Sequence, residues 1–171
     1  GFLNISRLES GKIHIDLQHF DIAELAAETV LETNLMVNTH HIVLNPVMPT
    51  FVNADRDKIG QVINNLISNA VKYSKPDTLI EISCVTDGEE VRVIVTDEGI
   101  GIRSEDINQL FERYYRVEST KYISGFGIGL YLCAEIIKRH EGRIWVESEP
   151  EKGSTFYFSL PIVKSTKVDM D

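Results

Sequence analysis

Residues 59–73 constrain the fold of this chain more than any other stretch. Val62, Ile63, Leu66, Ile67 and Ala70 recur at helical spacing, which predicts an amphipathic helix with one arc in a core. On another arc Asn65, Asn69 and Lys72 fall at i, i+4 and i+7 and share a face. That face offers two neutral oxygen ligands and a cation. Neutral carboxamides suit a hard cation such as Mg²⁺ that already carries substrate phosphates. Two solvated Asn on an ordinary surface helix would read the same way in isolation, so the decision falls to motifs elsewhere.

The chain has 171 residues, enough for one domain with a sizeable core. Hydrophobic residues make up 43%, which excludes a disordered chain. The net charge of −9 argues against a basic face for nucleic acid. It leaves room for an anionic ligand, because Lys72, Arg113, Arg116 and Lys121 could form a local cationic cluster. Cys84 and Cys133 show neither metal-ligand spacing nor a disulfide framework and read as small buried residues. No signal peptide is visible, and no apolar run approaches about 18 residues, so the chain as given reads as soluble. It opens on Gly1-Phe2-Leu3 without an initiator Met, which reads as a piece of a longer protein.

Local signals place the elements. Residues 2–9 read as a helix end stopped near Gly11, and Ile13 to Asp16 alternates like a short strand. Asp21 with Glu24 three residues on predicts a capped helix through Leu25, Val30 and Leu35. Short strands are expected at His41–Leu44 and Thr50–Asn53. Asp55 should cap the helix carrying Asn65 and Asn69, and Pro76 prevents its continuation. Leu79–Thr86 and Val91–Asp97 read as strands joined at Asp87-Gly88. Ser104 is expected to cap a short helix ending near Phe111. Residues 112–126 read as a long loop, of the kind that often serves as a lid. An apolar helix over Ile128–Arg139 precedes a hairpin, Arg143–Ser148 and Thr155–Leu160, and the polar tail 164–171 reads as frayed. Helices between antiparallel strand pairs predict an α+β, two-layer sandwich with one helical face, not a doubly wound parallel sheet.

Two glycine motifs carry the chemistry. Asp97-Glu98-Gly99-Ile100-Gly101-Ile102 closes a strand. A carboxylate there can accept an amine such as that of adenine, with glycines letting backbone come close to a flat ligand. An acidic turn is the plain alternative. Gly125-Phe126-Gly127-Ile128-Gly129-Leu130 opens the next helix, where exposed N–H groups and the helix dipole favour a phosphate chain. Its spacing is neither the dinucleotide fingerprint nor a P-loop.

In order, the chain shows Asn65…Asn69-Ala70-Val71-Lys72-Tyr73-Ser74 and Asp97-x-Gly99-x-Gly101-Ile102. Phe111-Glu112-Arg113-Tyr114-Tyr115-Arg116, Gly125-x-Gly127-x-Gly129-Leu130 and Gly153-Ser154-Thr155-Phe156-Tyr157-Phe158 follow. These five motifs resemble the N, G1, F, G2 and G3 boxes of sensor histidine kinases from two-component systems. The resemblance covers about residues 13–162. It implies the Bergerat fold, shared with type II topoisomerases and mismatch-repair ATPases: a mixed, mostly antiparallel sheet covered by helices on one face. Residues 1–12 would be the remnant of a dimerisation and phosphotransfer helix, 13–163 the catalytic ATP-binding domain and 164–171 a tail.

The resemblance also implies roles. Asn69 would ligate Mg²⁺ with Asn65 beside it, Lys72 would touch phosphate, and Tyr73 would stack by the base. Asp97 would read the adenine amine with Thr155 supporting it. Gly99, Gly101, Ile102 and Leu130 would belong to the nucleotide site. Arg116 and Lys121 would reach the phosphates from a lid hinged by Gly125, Gly127 and Gly129. Phe111 and Tyr115 would anchor that lid, and Trp145 reads as structural.

Two enzyme classes share the motifs. The ATPases of this fold place a water-activating glutamate four residues before the metal-binding Asn; here that residue is Asn65, and a carboxamide is no general base. That favours phosphoryl transfer to an outside nucleophile. His14, His19, His40, His41 and His140 lack the flanking residues of the family's phosphoacceptor, so the acceptor is expected on a separate dimerisation domain of the same parent. The partners implied are that domain and a response regulator, with no nucleic acid. The parent is expected to be homodimeric and anchored in the inner membrane, and this piece a cytoplasmic monomer. The alternatives are a non-kinase ATPase of the same fold and a nucleotide-binding regulatory module without catalysis.

Overall fold

The structure, a computed structural model, describes residues 13–112 and 129–163. Its elements are β1 (Gln18–Asp21), α1 (Ile22–Met36), β2 (His41–Leu44), β3 (Phe51–Ala54) and α2 (Arg56–Lys72). They continue with β4 (Leu79–Asp87), β5 (Glu90–Asp97), α3 (Ser104–Ile107), α4 (Gly129–Arg139), β6 (Arg143–Ser148) and β7 (Ser154–Pro161).

Helix starts follow their caps. Asp21 accepts the Ala23 N–H at 3.0 Å and opens α1. Asp55 accepts the Lys58 N–H at 3.2 Å and opens α2, a bond worth roughly 1 kcal/mol at such a cap. Burial pushes the Asp55 carboxyl up, but the Asp16 and Lys58 N–H groups and the Lys58 ammonium outweigh it and hold it below its ordinary value. Helix α2 ends with the Tyr73 N–H on the Asn69 carbonyl, three residues before Pro76.

Five strands form the main sheet in the order β2-β4-β5-β7-β6, and β1 pairs with β3 in a separate ribbon. Only the β2–β4 pair is parallel; β4–β5, β5–β7 and β6–β7 are antiparallel. Strand parity sorts the two faces. Val91, Val93, Val95 and Asp97 of β5 are buried on one face, as are Phe156, Phe158 and Leu160 of β7. Ile59, Ile63, Leu66 and Ile67 of α2 and Ile136 and Ile137 of α4 join them in one core. On the other face Trp145 stacks on Tyr157, ring centroids 5.0 Å apart, with Arg143 and Arg92 over its ring.

Three local expectations shift. The strand expected at 13–16 lies at Gln18–Asp21, where β3 supplies a partner in register. Residues 13–17 form no strand, and the Asp16 N–H is bound by the Asp55 carboxylate at 3.0 Å instead. Strand β3 begins one residue later than expected. Ser104 is the first residue inside α3 rather than its cap; Arg103 holds the cap position with no side-chain cap bond. The helix ends at Ile107, and turns continue to Phe111. The loop expected at 112–126 lies, from residue 113 on, outside the described residues, as do 1–12 and 164–171.

Candidate functional site: the end of β5 beside α2

Strand β5 delivers Asp97 to the helix-covered face, 7% exposed. Its Oδ1 accepts the Gly99 N–H at 2.8 Å and the Ser154 N–H at 3.3 Å. Burial pushes this carboxyl up to about 6, although both N–H bonds pull the other way. Its Oδ2 has no hydrogen-bond partner among the described residues. A buried acceptor with an open valence invites a donor from a ligand.

The loop after Asp97 is stitched to its surroundings. The Ile100 N–H donates to the Tyr73 carbonyl at 3.1 Å, and the Glu151 N–H donates to the Ile100 carbonyl at 2.6 Å. Gly99 and Gly101 were expected to let a ligand approach. Their missing side chains make room for the chain itself instead. A Cβ on Gly99 would strike the Tyr73 carbonyl, and one on Gly101, at φ +73°, would strike the Glu149 carbonyl. The glycines join the strand end, the end of α2 and the β6–β7 turn into one piece.

On α2, Asn65 and Asn69 are half-buried and Lys72, a turn later, is exposed. The Asn65 Nδ2 donates to the Cys133 Sγ of α4 at 3.6 Å, which leaves its Oδ1 as the free end. Burial raises the Cys133 thiol to about 12, so it stays protonated and unreactive. A Cβ on Gly129, the first residue of α4, would lie 4.0 Å from the Asn65 carboxamide carbon. The start of α4 therefore adjoins the Asn65 face of α2. Tyr73 is half-buried at the end of α2, and Ile102 and Leu130 pack against the core. Among the described residues no group of three or more His, Cys, Asp or Glu could hold a metal. Asn65 and Asn69 offer carboxamide oxygens on this face of α2, a kind of donor that suits a cation brought by phosphates.

Thr155 does not support Asp97. It stands opposite Thr96 in register, with their hydroxyl oxygens 3.4 Å apart on the outer face of the sheet. Ser154 is the residue opposite Asp97 and bonded to it. The signal was available: Ser154 shares strand parity with Phe156, Phe158 and Leu160, the apolar positions of β7. Arg116, Lys121, Gly125 and Gly127 lie outside the described residues. Sequence reasoning also missed Ser148 and the contact of Cys133 with Asn65, both products of pairings distant in the chain.

Of the histidines, His14, His19 and His41 are exposed. His140 is buried, its Nε2 accepting the Asp55 N–H at 2.9 Å and its Nδ1 donating to the Ile136 carbonyl at 2.7 Å. His40 is buried between Thr39 and the Ser74 carbonyl.

A Bergerat-type sandwich, with a buried aspartate ending a sheet strand beside an Asn-bearing helix, defines a class of nucleotide-binding domains. Residues 54–164 match the family described as histidine kinase-, DNA gyrase B- and HSP90-like ATPase, and the chain belongs to it. It is 37% identical, over 88% of its length, to the adaptive-response sensory kinase SasA of Thermosynechococcus vestitus. It is 32% identical, over 99% of its length, to the sensor histidine kinase WalK of Bacillus subtilis. It spans 41% and 29% of the lengths of these two relatives. The fold matches the nucleotide-free catalytic domain of the histidine kinase ThkA with a TM-score of 0.75 and 27% identity, covering 85% of this chain and 95% of that one.

Proposed function

We propose that this chain is the ATP-binding catalytic core of a sensor histidine kinase, delivering the γ-phosphate of Mg-ATP to a histidine on a dimerisation domain outside it. The observation that carries the reading is Asp97: one buried oxygen committed to backbone N–H groups, the other open to a donor. The adenine amine is such a donor, and a charge-assisted bond to it would be worth roughly 1.5–3 kcal/mol. Tyr73, Ile102 and Leu130 would flank the base. Asn69 is the proposed metal ligand, with the Asn65 Oδ1 and the Lys72 ammonium facing the phosphates. Mg²⁺, when bound, neutralises phosphate charge and orients the γ-phosphate. Arg116 and Lys121 would reach the phosphates from a lid whose hinge includes Gly125, Gly127 and Gly129.

Two observations support transfer over hydrolysis. Asn65 stands where a water-activating glutamate would be needed, and its amide is already engaged with Cys133. His140, the one histidine with an acidic neighbour after it, has both ring nitrogens engaged. The acceptor histidine then belongs to the dimerisation domain of a homodimeric parent, and a response regulator receives the phosphoryl group. Among the described residues no helix is long and apolar enough to cross a membrane; in this proposal the domain lies on the cytoplasmic side of a parent anchored in the inner membrane.

Incubation with γ-labelled ATP tests this. The chain alone should bind Mg-ATP without labelling itself rapidly. The parent's helical domain, added as a separate chain, should become labelled on histidine, weakly because docking is no longer intramolecular. Rapid acid-labile labelling of this chain alone, or no Mg-ATP binding, overturns the proposal.

A further inference from the structure

Asp97, Ser154 and Ser148 form one row across β5, β7 and β6. Ser148 Oγ lies 2.8 Å from three partners: the Ile102 N–H, the Gly153 carbonyl and the Ser154 hydroxyl. Proton counting fixes every direction. The carbonyl has no proton to give, so the single Ser148 proton goes to Gly153. The Ile102 N–H donates to Ser148, and Ser154, the remaining partner, must donate too. A hydroxyl has one proton and two lone pairs, so Ser148 is saturated. Ser154 has its only proton turned away toward β6. Its lone pairs stay free, and it has no other side-chain hydrogen bond among the described residues.

We propose that Ser148 is a positioning residue that sets base selectivity from behind the pocket, by drawing away the Ser154 proton so that Ser154 and Asp97 present acceptors only. This rests on the proposed placement of the base at Asp97. An adenine amine satisfies such a pair. A 6-oxopurine such as hypoxanthine or guanine brings a carbonyl oxygen to the same place, and acceptor faces acceptor. With Ser148 intact, the Ser154 hydroxyl cannot turn to rescue that carbonyl without breaking its bond to the half-buried Ser148 oxygen.

The test is calorimetric titration of the chain with Mg-ATP and Mg-ITP. The wild type should favour ATP. Ser148→Ala frees the Ser154 hydroxyl to donate and should cut the ATP-over-ITP ratio about tenfold, the effect of about one hydrogen bond. Ser148→Thr keeps the hydroxyl and should keep the ratio. Ser154→Ala should lower the ratio as well, and Ser148→Ala should add nothing in that background. If Ser148→Ala does not fold, Ser154→Ala decides alone. A ratio unchanged in whichever of these variants folds overturns the inference, since a purely structural serine would weaken both nucleotides together. A wild type that binds ATP and ITP equally overturns it while leaving nucleotide binding intact. A wild type that binds neither sinks the proposed function itself.

Discussion

Asp97 carries two opposed demands at the scale of one residue. Burial raises its carboxyl to about 6, so the folded state holds a proton more tightly than the unfolded chain. The sign follows: this group favours folding as pH falls from about 6 toward the ordinary carboxylate range, and opposes it above. Ligand recognition runs the other way, because the ionised form accepts the amine best. Asp97→Asn should therefore raise the stability of the ligand-free chain at pH 7, by about 1–3 kcal/mol, while lowering ATP affinity by one to two decades. Urea denaturation and calorimetry on the same two proteins separate the effects; equal ATP affinities would remove Asp97 from the base site. In the wild type, ATP affinity should be flat above pH 7 and fall as pH drops below 6, a profile that Asp97→Asn should not show.

The loops and helices around that residue divide the work between packing and chemistry. Gly101 and Gly88 both adopt positive φ, +73° and +64°, yet only Gly101 has protein where a Cβ would go. Gly88→Ala should cost about 1 kcal/mol, the conformational term alone. Gly101→Ala should cost about 3 kcal/mol or more, because the Glu149 carbonyl and the β6–β7 turn must also move. Denaturant midpoints compare the two, and equal losses would count against the stitched loop. On α2 the expected effect is chemical. Asn69→Ala should leave metal-free nucleotide binding nearly intact and shrink the gain on adding Mg²⁺, since one oxygen ligand is gone. An undiminished Mg²⁺ effect would remove Asn69 from the metal.

Across the whole molecule, the sheet separates a chemical face from a structural one. Trp145, the only tryptophan of the chain, sits on the outer face against Tyr157, Arg92 and Arg143, while Asp97 lies on the helix-covered face. Tryptophan emission should thus report unfolding and respond little to saturating ATP. An ATP-induced change as large as that on unfolding would contradict the separation. Much of this architecture was legible from neighbours in the chain. Caps at Asp21 and Asp55, the Asp87-Gly88 turn and the stripe of α2 each depend on residues a few positions apart, so the sequence by itself determined α1, α2, the central hairpin and the fold class. Only the tertiary structure decided which strands pair, that β1 begins at Gln18 where β3 can meet it, and that Ser154 rather than Thr155 stands by Asp97. It also decided that Gly99 and Gly101 yield to the chain's own backbone. The reason is physical: caps and periodicity act within a turn or two of chain, whereas register and close backbone approach are set by partners that lie tens of residues away.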